Sequence, residues 1–307
     1  MRILLTGATG QVGWELARTL LPLGTVVIAD RGRCDLARPQ TLGSYVDEVR
    51  PDVIVNPAAY TAVDKAEDEP ALATTVNADA VGEFASAAKR HGALVVHYST
   101  DYVFDGGKDS PYLESDPTGP LGAYGRSKLA GEQALTASGA DHVVFRTSWV
   151  YAARGKNFLR TMLRLAGERE QLRVVADQFG APTWARLIAE TTAMAVQQDL
   201  ARRREGLFTS EVVNLTAAGS TTWHGFASAI VSAARELGVP LKCREIVPIA
   251  TTDYPLPAPR PANSRMAGTR LAQRYGLEMP AWEWCMHLCL AECEAVAREQ
   301  SAPAGHA

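Results

Sequence analysis

Short apolar runs alternate with amphipathic stretches through the first half of the chain. The runs at residues 2–6, 26–29, 52–56, 93–99 and 142–147 are rich in Val, Ile and Leu. Strands of that kind are buried on both faces of a parallel sheet. Between them, residues 11–23, 40–50, 70–91 and 123–138 carry apolar side chains at helical spacing. In the first of these Val12, Leu16, Thr19 and Leu20 share one side. This alternation predicts an α/β fold built on a doubly wound parallel sheet. After Trp149 the rhythm loosens. A helix is expected over 157–168, a strand over 172–176 and a helix over 185–198, followed by the charged run 202–205, read as a solvated loop or helix end. A strand at 212–215, a helix at 223–237, a strand at 242–248 and helices around 282–298 complete the pattern. Four prolines from Pro255 to Pro261 cannot sit in a central strand or helix interior, so residues 254–261 should cross the surface as an extended segment. A smaller C-terminal α/β domain is therefore expected. Residues 1–150 form the first unit, with returning elements from about 172–215, and residues 151–171 and 216–307 form the second.

Composition narrows the class. The chain has 307 residues, 47% hydrophobic and 21% charged, with 31 basic against 34 acidic side chains and a net charge of −3. That balance excludes a generally basic nucleic-acid-binding surface, and the apolar content excludes disorder. No apolar run approaches the ~18–20 residues that span a bilayer, and no signal-like segment opens the chain. A cytoplasmic protein without a membrane partner is expected. Five cysteines are an odd number, with Cys34 and Cys243 isolated, which is no disulfide framework. Cys285, Cys289 and Cys293 repeat every four residues and read as a buried helix stripe, since zinc sites bring a second ligand pair from elsewhere.

Candidate chemistry begins at the first strand. It runs into Gly7-Ala-Thr-Gly10-Gln-Val-Gly13, a glycine-rich strand-to-helix turn. Gly7 suits the tight turn, Gly10 lets backbone approach a pyrophosphate, and Gly13 allows close helix–strand packing. This is a Rossmann-type dinucleotide fingerprint. Asp30 ends the second strand, where a carboxylate can bind the adenosine ribose and favour NADH. Arg31 and Arg33 follow at once and suit the 2′-phosphate of NADPH, so both cofactors remain open.

Tyr124 and Lys128 stand at i and i+4 on one predicted helix. A tyrosine titrates near ~10, and a neighbouring ammonium favours its phenolate, which makes proton exchange possible at neutral pH. Thr100, in Ser99-Thr-Asp101 at the carboxyl end of the fourth strand, could hydrogen-bond a substrate carbonyl beside that phenol, or cap a turn. Ligands of open parallel sheets bind at this edge.

Taken together these residues resemble the extended short-chain dehydrogenase/reductase superfamily. Within it, Ser99–Gly106, Arg146–Tyr151, Asn157-Phe158, Asp177–Thr183, Asn56–Tyr60 with Asp64, and Arg260–Ser264 are similar to the dTDP-4-dehydrorhamnose reductase family. The likeness runs from residue 1 to the final helix. It implies reduction of the C4 ketone of dTDP-4-dehydro-β-L-rhamnose by NADH or NADPH, with residues 1–150 as the dinucleotide-binding domain and the second unit as the sugar-nucleotide-binding domain. Tyr124 would deliver the proton, Thr100 share the hydrogen bond, and Lys128 lower the phenol's pKa and bind the nicotinamide ribose. The implied cofactor contacts are Gly7, Gly10, Gln11, Val12, Gly13, Asp30, Asp35, Leu36, Ala58, Ala59 and Tyr60, with Tyr124 and Lys128. The sugar nucleotide would meet Thr100, Asp101, Trp149, Asn157 and Arg260, although Asn157 could equally cap a helix. Some members are homodimers with Mg²⁺ held between subunits, and Glu15, Glu190 and Glu292 stand at matching places. Other readings are a different nucleotide-sugar 4-ketoreductase or epimerase, and a non-catalytic NADP-binding regulatory subunit, against which intact Thr100, Tyr124 and Lys128 argue. Asn77, inside the third predicted helix, reads as a kink residue, and His97 as a satisfied core histidine.

Overall fold

The computed structural model describes the backbone of residues 1–301 and the side chains of residues 1–293. Five strands form where the apolar runs predict them: β1 (Arg2–Leu5), β2 (Thr25–Ile28), β3 (Val53–Asn56), β4 (Leu94–Thr100) and β5 (His142–Thr147). The helices between them are α1 (Gln11–Thr19), α2 (Leu42–Val49), α3 (Lys65–Asp68), α4 (Pro70–Thr74), α5 (Ala80–His91) and α6 (Ala123–Ser138). α1 is shorter than its pattern. Pro22 has no N–H to donate, and residues Leu21–Leu23 tighten into a 3-10 turn. The expected helix over 70–91 is interrupted by a π turn at Thr75–Asp79, which carries Asn77.

Beyond β5 come β6 (Val150–Tyr151), α7 (Phe158–Glu168), β7 (Gln171–Val175), β8 (Phe179–Gly180), β9 (Thr183–Trp184), α8 (Ala185–Arg204) and β10 (Glu211–Asn214). β11 (Thr221–Thr222), α9 (Trp223–Glu236), β12 (Glu245–Ile249), α10 (Thr269–Tyr275) and α11 (Trp282–Ser301) follow. The main sheet has the order β10-β5-β4-β3-β1-β2, parallel throughout. One of its faces packs Ile3, Leu5, Val55 and Phe145 against Leu16 of α1 and Leu20 just after it, Ile188 of α8 and Leu271 of α10. The other packs Leu4, Ile54, Val95 and Val144 against Val46 of α2, Phe84 of α5 and Leu135 of α6. Each such aliphatic side chain contributes about 1.5–3 kcal/mol by leaving water, so the two layers hold the strand ends firmly.

One returning element differs from expectation. β7 does not join the main sheet; it pairs in parallel with β12. Its burial alternates along Gln171–Val175, the mark of a strand with one wet face rather than a central one. The elements that do return are α8, packed on α1, and β10, paired with β5. A further core gathers Leu159 and Met162 of α7, Phe226 and Ile230 of α9, Leu172 of β7, and Trp282, Cys285 and Cys289 of α11. The cysteine stripe thus packs as apolar surface. Residues 254–257 are exposed as expected, but the segment turns inward at Ala258 and Pro261. The run 202–205 ends α8, with Arg203 held on Asp141. Among the described residues no helix is long and apolar enough to cross a membrane.

Candidate active site

The carboxyl ends of β1, β4 and β5 open on one edge, and each carries a part of the site. After β1, Gly7 adopts φ +57°, and a Cβ there would lie 2.9 Å from the backbone nitrogen of Ala58. A side chain on Gly13 would collide with the carbonyl of Gly7. Gly10 caps α1 with no side-chain hydrogen bond, leaving the first N–H groups of the helix open to an anion. The turn therefore fits a dinucleotide, with Ala58 and Ala59 after β3 beside it. Asp30 is exposed and accepts the Arg33 N–H at 3.0 Å. Arg33 is tied to Glu48 at 2.7 Å and lies over the Tyr45 ring. Arg31 reaches only Asp35, at 3.6 Å, and is largely exposed. Leu36 is buried beneath this loop.

At the end of β4, the Thr100 hydroxyl accepts the Tyr102 N–H at 3.2 Å and donates to Asp101 at 3.0 Å. Thr100 thus caps the turn that follows β4. Asp101 is 3% exposed. Burial pushes its carboxyl up to about 6, against hydrogen bonds from Ser264 and Thr100, and Oδ2 has no partner among the described residues. Tyr124, on α6, has its phenol beside the Thr100 hydroxyl. Burial drives the phenol up to about 12, Thr100 draws it down, and Asp101 adds to the rise. Lys128 does not contribute the expected depression. Its ammonium is 3.1 Å from His97 Nε2, and burial brings it down to about 8.

α6 itself is set in place by residues that spacing did not single out. Glu67 accepts the Ala123 N–H at 2.7 Å at the helix N-terminus, where Gly122 leaves room for the carboxylate. Asn77 accepts the Tyr60 N–H at 2.8 Å, returns a bond to the Tyr60 carbonyl at 3.0 Å, and donates to Ser127 at 2.9 Å. One amide thus joins the Ala58–Tyr60 loop to the helix of Tyr124 and Lys128. The only hint in the sequence was an asparagine in a helix interior, a poor place for it. The Tyr60 hydroxyl is committed to Glu69 at 2.6 Å.

Trp149 follows β5 in the left-handed region, φ +48°, a conformation that costs a non-glycine residue about 1 kcal/mol or more. Its ring stacks on Trp223, 3.6 Å between centroids and 10° between planes, and Gly180 lies beneath it with no room for a Cβ. Two expected substrate contacts have other engagements. Asn157 caps α7 through the Arg160 N–H and gives its amide protons to Gln11, Ala152 and Arg154. No donor is left over for a ligand. It touches the site through Gln11. Arg260 makes a two-point pair with Asp64, at 2.6 and 2.8 Å. Its charge is already matched within the protein.

The glutamates considered for magnesium meet a guanidinium instead. Arg186 lies 3.2 Å from Glu15 and 2.6 Å from Glu292, and Arg18 adds a second contact to Glu15 at 2.6 Å. Glu190 is exposed on α8. Among the described residues no group of three or more His, Cys, Asp and Glu is arranged for a metal. The donor set does not fit Mg²⁺, which needs oxygen ligands free of competing cations.

A parallel sheet with a glycine turn after β1, a hydroxyl after β4 and a Tyr–Lys pair on the helix between β4 and β5 defines a short-chain dehydrogenase/reductase. The model of the RmlD substrate binding domain family matches residues 1–295. The dTDP-4-dehydrorhamnose reductase of Burkholderia thailandensis is 58% identical over 292 residues, covering 94% of this chain and 98% of that protein. The Escherichia coli K12 protein of the same name is 50% identical over 92% of this chain and 95% of its own length. A crystal structure of the Bacillus anthracis dTDP-4-dehydrorhamnose reductase in complex with NADP has a TM-score of 0.84 at 34% identity, covering 95% of this chain and 99% of that one. This chain belongs to the dTDP-4-dehydrorhamnose reductase family.

Proposed function

We propose that this chain reduces the C4 ketone of dTDP-4-dehydro-β-L-rhamnose to give dTDP-β-L-rhamnose, the last step in making that activated sugar. The observation that carries the chemistry is the meeting of Tyr124 with Thr100 at the sheet's carboxyl edge. The site class and the family membership support the substrate.

NADH or NADPH, when bound, supplies a hydride to the ketone carbon. Gly7, Gly10 and Gly13 leave room for its pyrophosphate, and the N-terminus of α1 offers Gln11 and Val12 N–H groups. Asp30 accepts from the adenosine ribose, with Asp35 and Leu36 shaping the adenine side. The exposed Arg31 is the group available to a 2′-phosphate. Ala58, Ala59 and Tyr60 line the opposite wall, and Lys128 binds the nicotinamide ribose. Thr100 and Tyr124 both hydrogen-bond the ketone oxygen, and Tyr124 releases its proton as charge develops there. A phenol near 12 is protonated throughout the neutral range, which suits a proton donor. Asp101 accepts from a sugar hydroxyl, and Trp149 walls the sugar pocket. A homodimer is supported by exposed Trp14, Met194, Trp284 and Leu288 on α1, α8 and α11; light scattering measures it.

The decisive experiment follows nicotinamide absorbance with the 4-keto sugar nucleotide and NADH or NADPH, then identifies the sugar. One equivalent of cofactor oxidised per product, with the L-rhamno configuration, is expected. An interconversion of sugars without net oxidation would make the protein an epimerase, and no turnover would point to a regulatory subunit.

A further inference from the structure

A buried polar chain runs from the glycine turn to the candidate lysine. The Thr6 hydroxyl donates to Asn56 Oδ1 at 2.6 Å, Asn56 Nδ2 faces His97 Nδ1 at 3.3 Å, and His97 Nε2 faces Lys128 Nζ at 3.1 Å. Thr6, Asn56, His97 and Lys128 are each no more than 2% exposed. Burial holds the imidazole far below its usual titration range, and the ammonium of Lys128 pushes the same way. The ring is therefore neutral, with one N–H and one lone pair.

That single N–H creates two complete arrangements. When Lys128 is an ammonium, it donates to the Nε2 lone pair, and Nδ1–H donates to the carbonyl of an Asn56 amide turned to receive it. When Lys128 is a neutral amine, Nε2–H donates to the amine lone pair, and Nδ1 accepts from Asn56 Nδ2, the orientation seen here. Passing from the first to the second, the pair loses one proton and the ring changes tautomer. In the first arrangement the turned amide presents Nδ2 to the Thr6 hydroxyl, which then accepts where it now donates.

We propose that His97 is a positioning residue for the reduction, holding Lys128 at one place in both of its charge states. This rests on the role of Lys128 given above. The other groups facing Lys128 cannot substitute. Glu132, one turn further along α6, is locked to Arg146 at 2.6 Å; Tyr124, one turn earlier, is directed to Thr100; Ser127 and Asn77 are uncharged and bonded to one another.

Two measurements test the proposal. Imidazole ¹⁵N NMR of the whole protein between pH 6 and 10 should show a ring that never protonates but changes tautomer in step with Lys128, and Lys128→Met should abolish the change. A ring that protonates near its ordinary pKa, or keeps one tautomer throughout, would overturn it whatever the enzyme acts on. In kinetics, His97→Leu removes the acceptor and disfavours the ammonium. kcat should fall about tenfold or more, with KM for the sugar nucleotide within about twofold. The decline of activity at high pH should move to lower pH by about one unit. His97→Gln, which keeps a donor and an acceptor, should restore kcat to within about threefold. An unchanged pH profile in a folded His97→Leu, or no recovery in His97→Gln, would also overturn it. Absence of any ketone reduction in the unaltered protein would instead remove the functional reading and leave the NMR result standing.

Discussion

Trp149 lies flat against Trp223, their rings 3.6 Å apart, and the backbone of Trp149 accepts a left-handed conformation to bring them there. The pair joins the end of β5 to the start of α9, so the main sheet and the later core share one wall. Gly180 is the floor of this stack. Gly180→Ala should push Trp149 off Trp223, raise KM for the sugar nucleotide about tenfold or more, and leave KM for the nicotinamide cofactor within about twofold. Steady-state kinetics and a shift in tryptophan emission check both effects together.

Tyr124→Phe removes the phenolic proton and keeps the ring. kcat should fall about 10²–10⁴-fold with unchanged circular dichroism. Turnover within a few-fold of the unaltered protein would remove Tyr124 as proton donor.

Asp101 is ionised inside the protein against the preference of its surroundings. Its folded pKa of about 6 lies above the ordinary 3.8 of an aspartate carboxyl. The folded state therefore binds the proton more tightly, and stability rises as pH falls through 6 toward 4. Asp101→Asn should stabilise the protein by about 2 kcal/mol at pH 7.5, and the advantage should vanish near pH 4. Thermal denaturation at the two pH values measures it, and the variant should lose activity while gaining stability.

Arg33 is held away from the adenosine end of the fingerprint by Glu48. Glu48→Ala frees the guanidinium for a 2′-phosphate. The ratio of kcat/KM for NADPH over NADH should rise about three- to tenfold. An unchanged ratio would leave Arg31 alone to read the phosphate.

Arg186 takes the place at which the sequence suggested a metal. Chelator or added Mg²⁺ should leave the melting temperature unchanged. Arg186→Ala, which leaves the buried Glu15 to Arg18 alone and takes the guanidinium from the half-buried Glu292, should cost about 1–2 kcal/mol. A chelator-sensitive melting temperature would reverse this assignment.

How far the sequence could be read follows from the range of the forces. The strands of the main sheet are apolar on both faces, and the glycine turn needs only local geometry, so β1 to β5, Gly7, Gly10 and Gly13 were legible from neighbouring residues. Tyr124 and Lys128 were legible because helical spacing puts them on one face. The partners of those groups were not. His97 is 31 residues from Lys128, Glu67 is 56 from Ala123, and Arg186 is 171 from Glu15. Only the packing of helix on sheet brings each pair together. The same limit applied to Asn157 and Arg260, expected to meet the sugar nucleotide, whose partners lie within the protein: Asn157 caps α7 and Arg260 pairs with Asp64. β7 was misassigned because its half-wet alternation resembles an edge strand of either unit.

The π turn at Thr75–Asp79 gives the chain a change of phase. An α-helix advances about 100° per residue, so one wide turn rotates everything after it relative to everything before. α5 is thereby free to aim Val81, Phe84 and Ala88 at the sheet, while Asn77 aims at Tyr60 and Ser127. A regular helix would have had to choose between filling the core and bracing the site. Here the two duties are served in different rotational registers of one continuous segment.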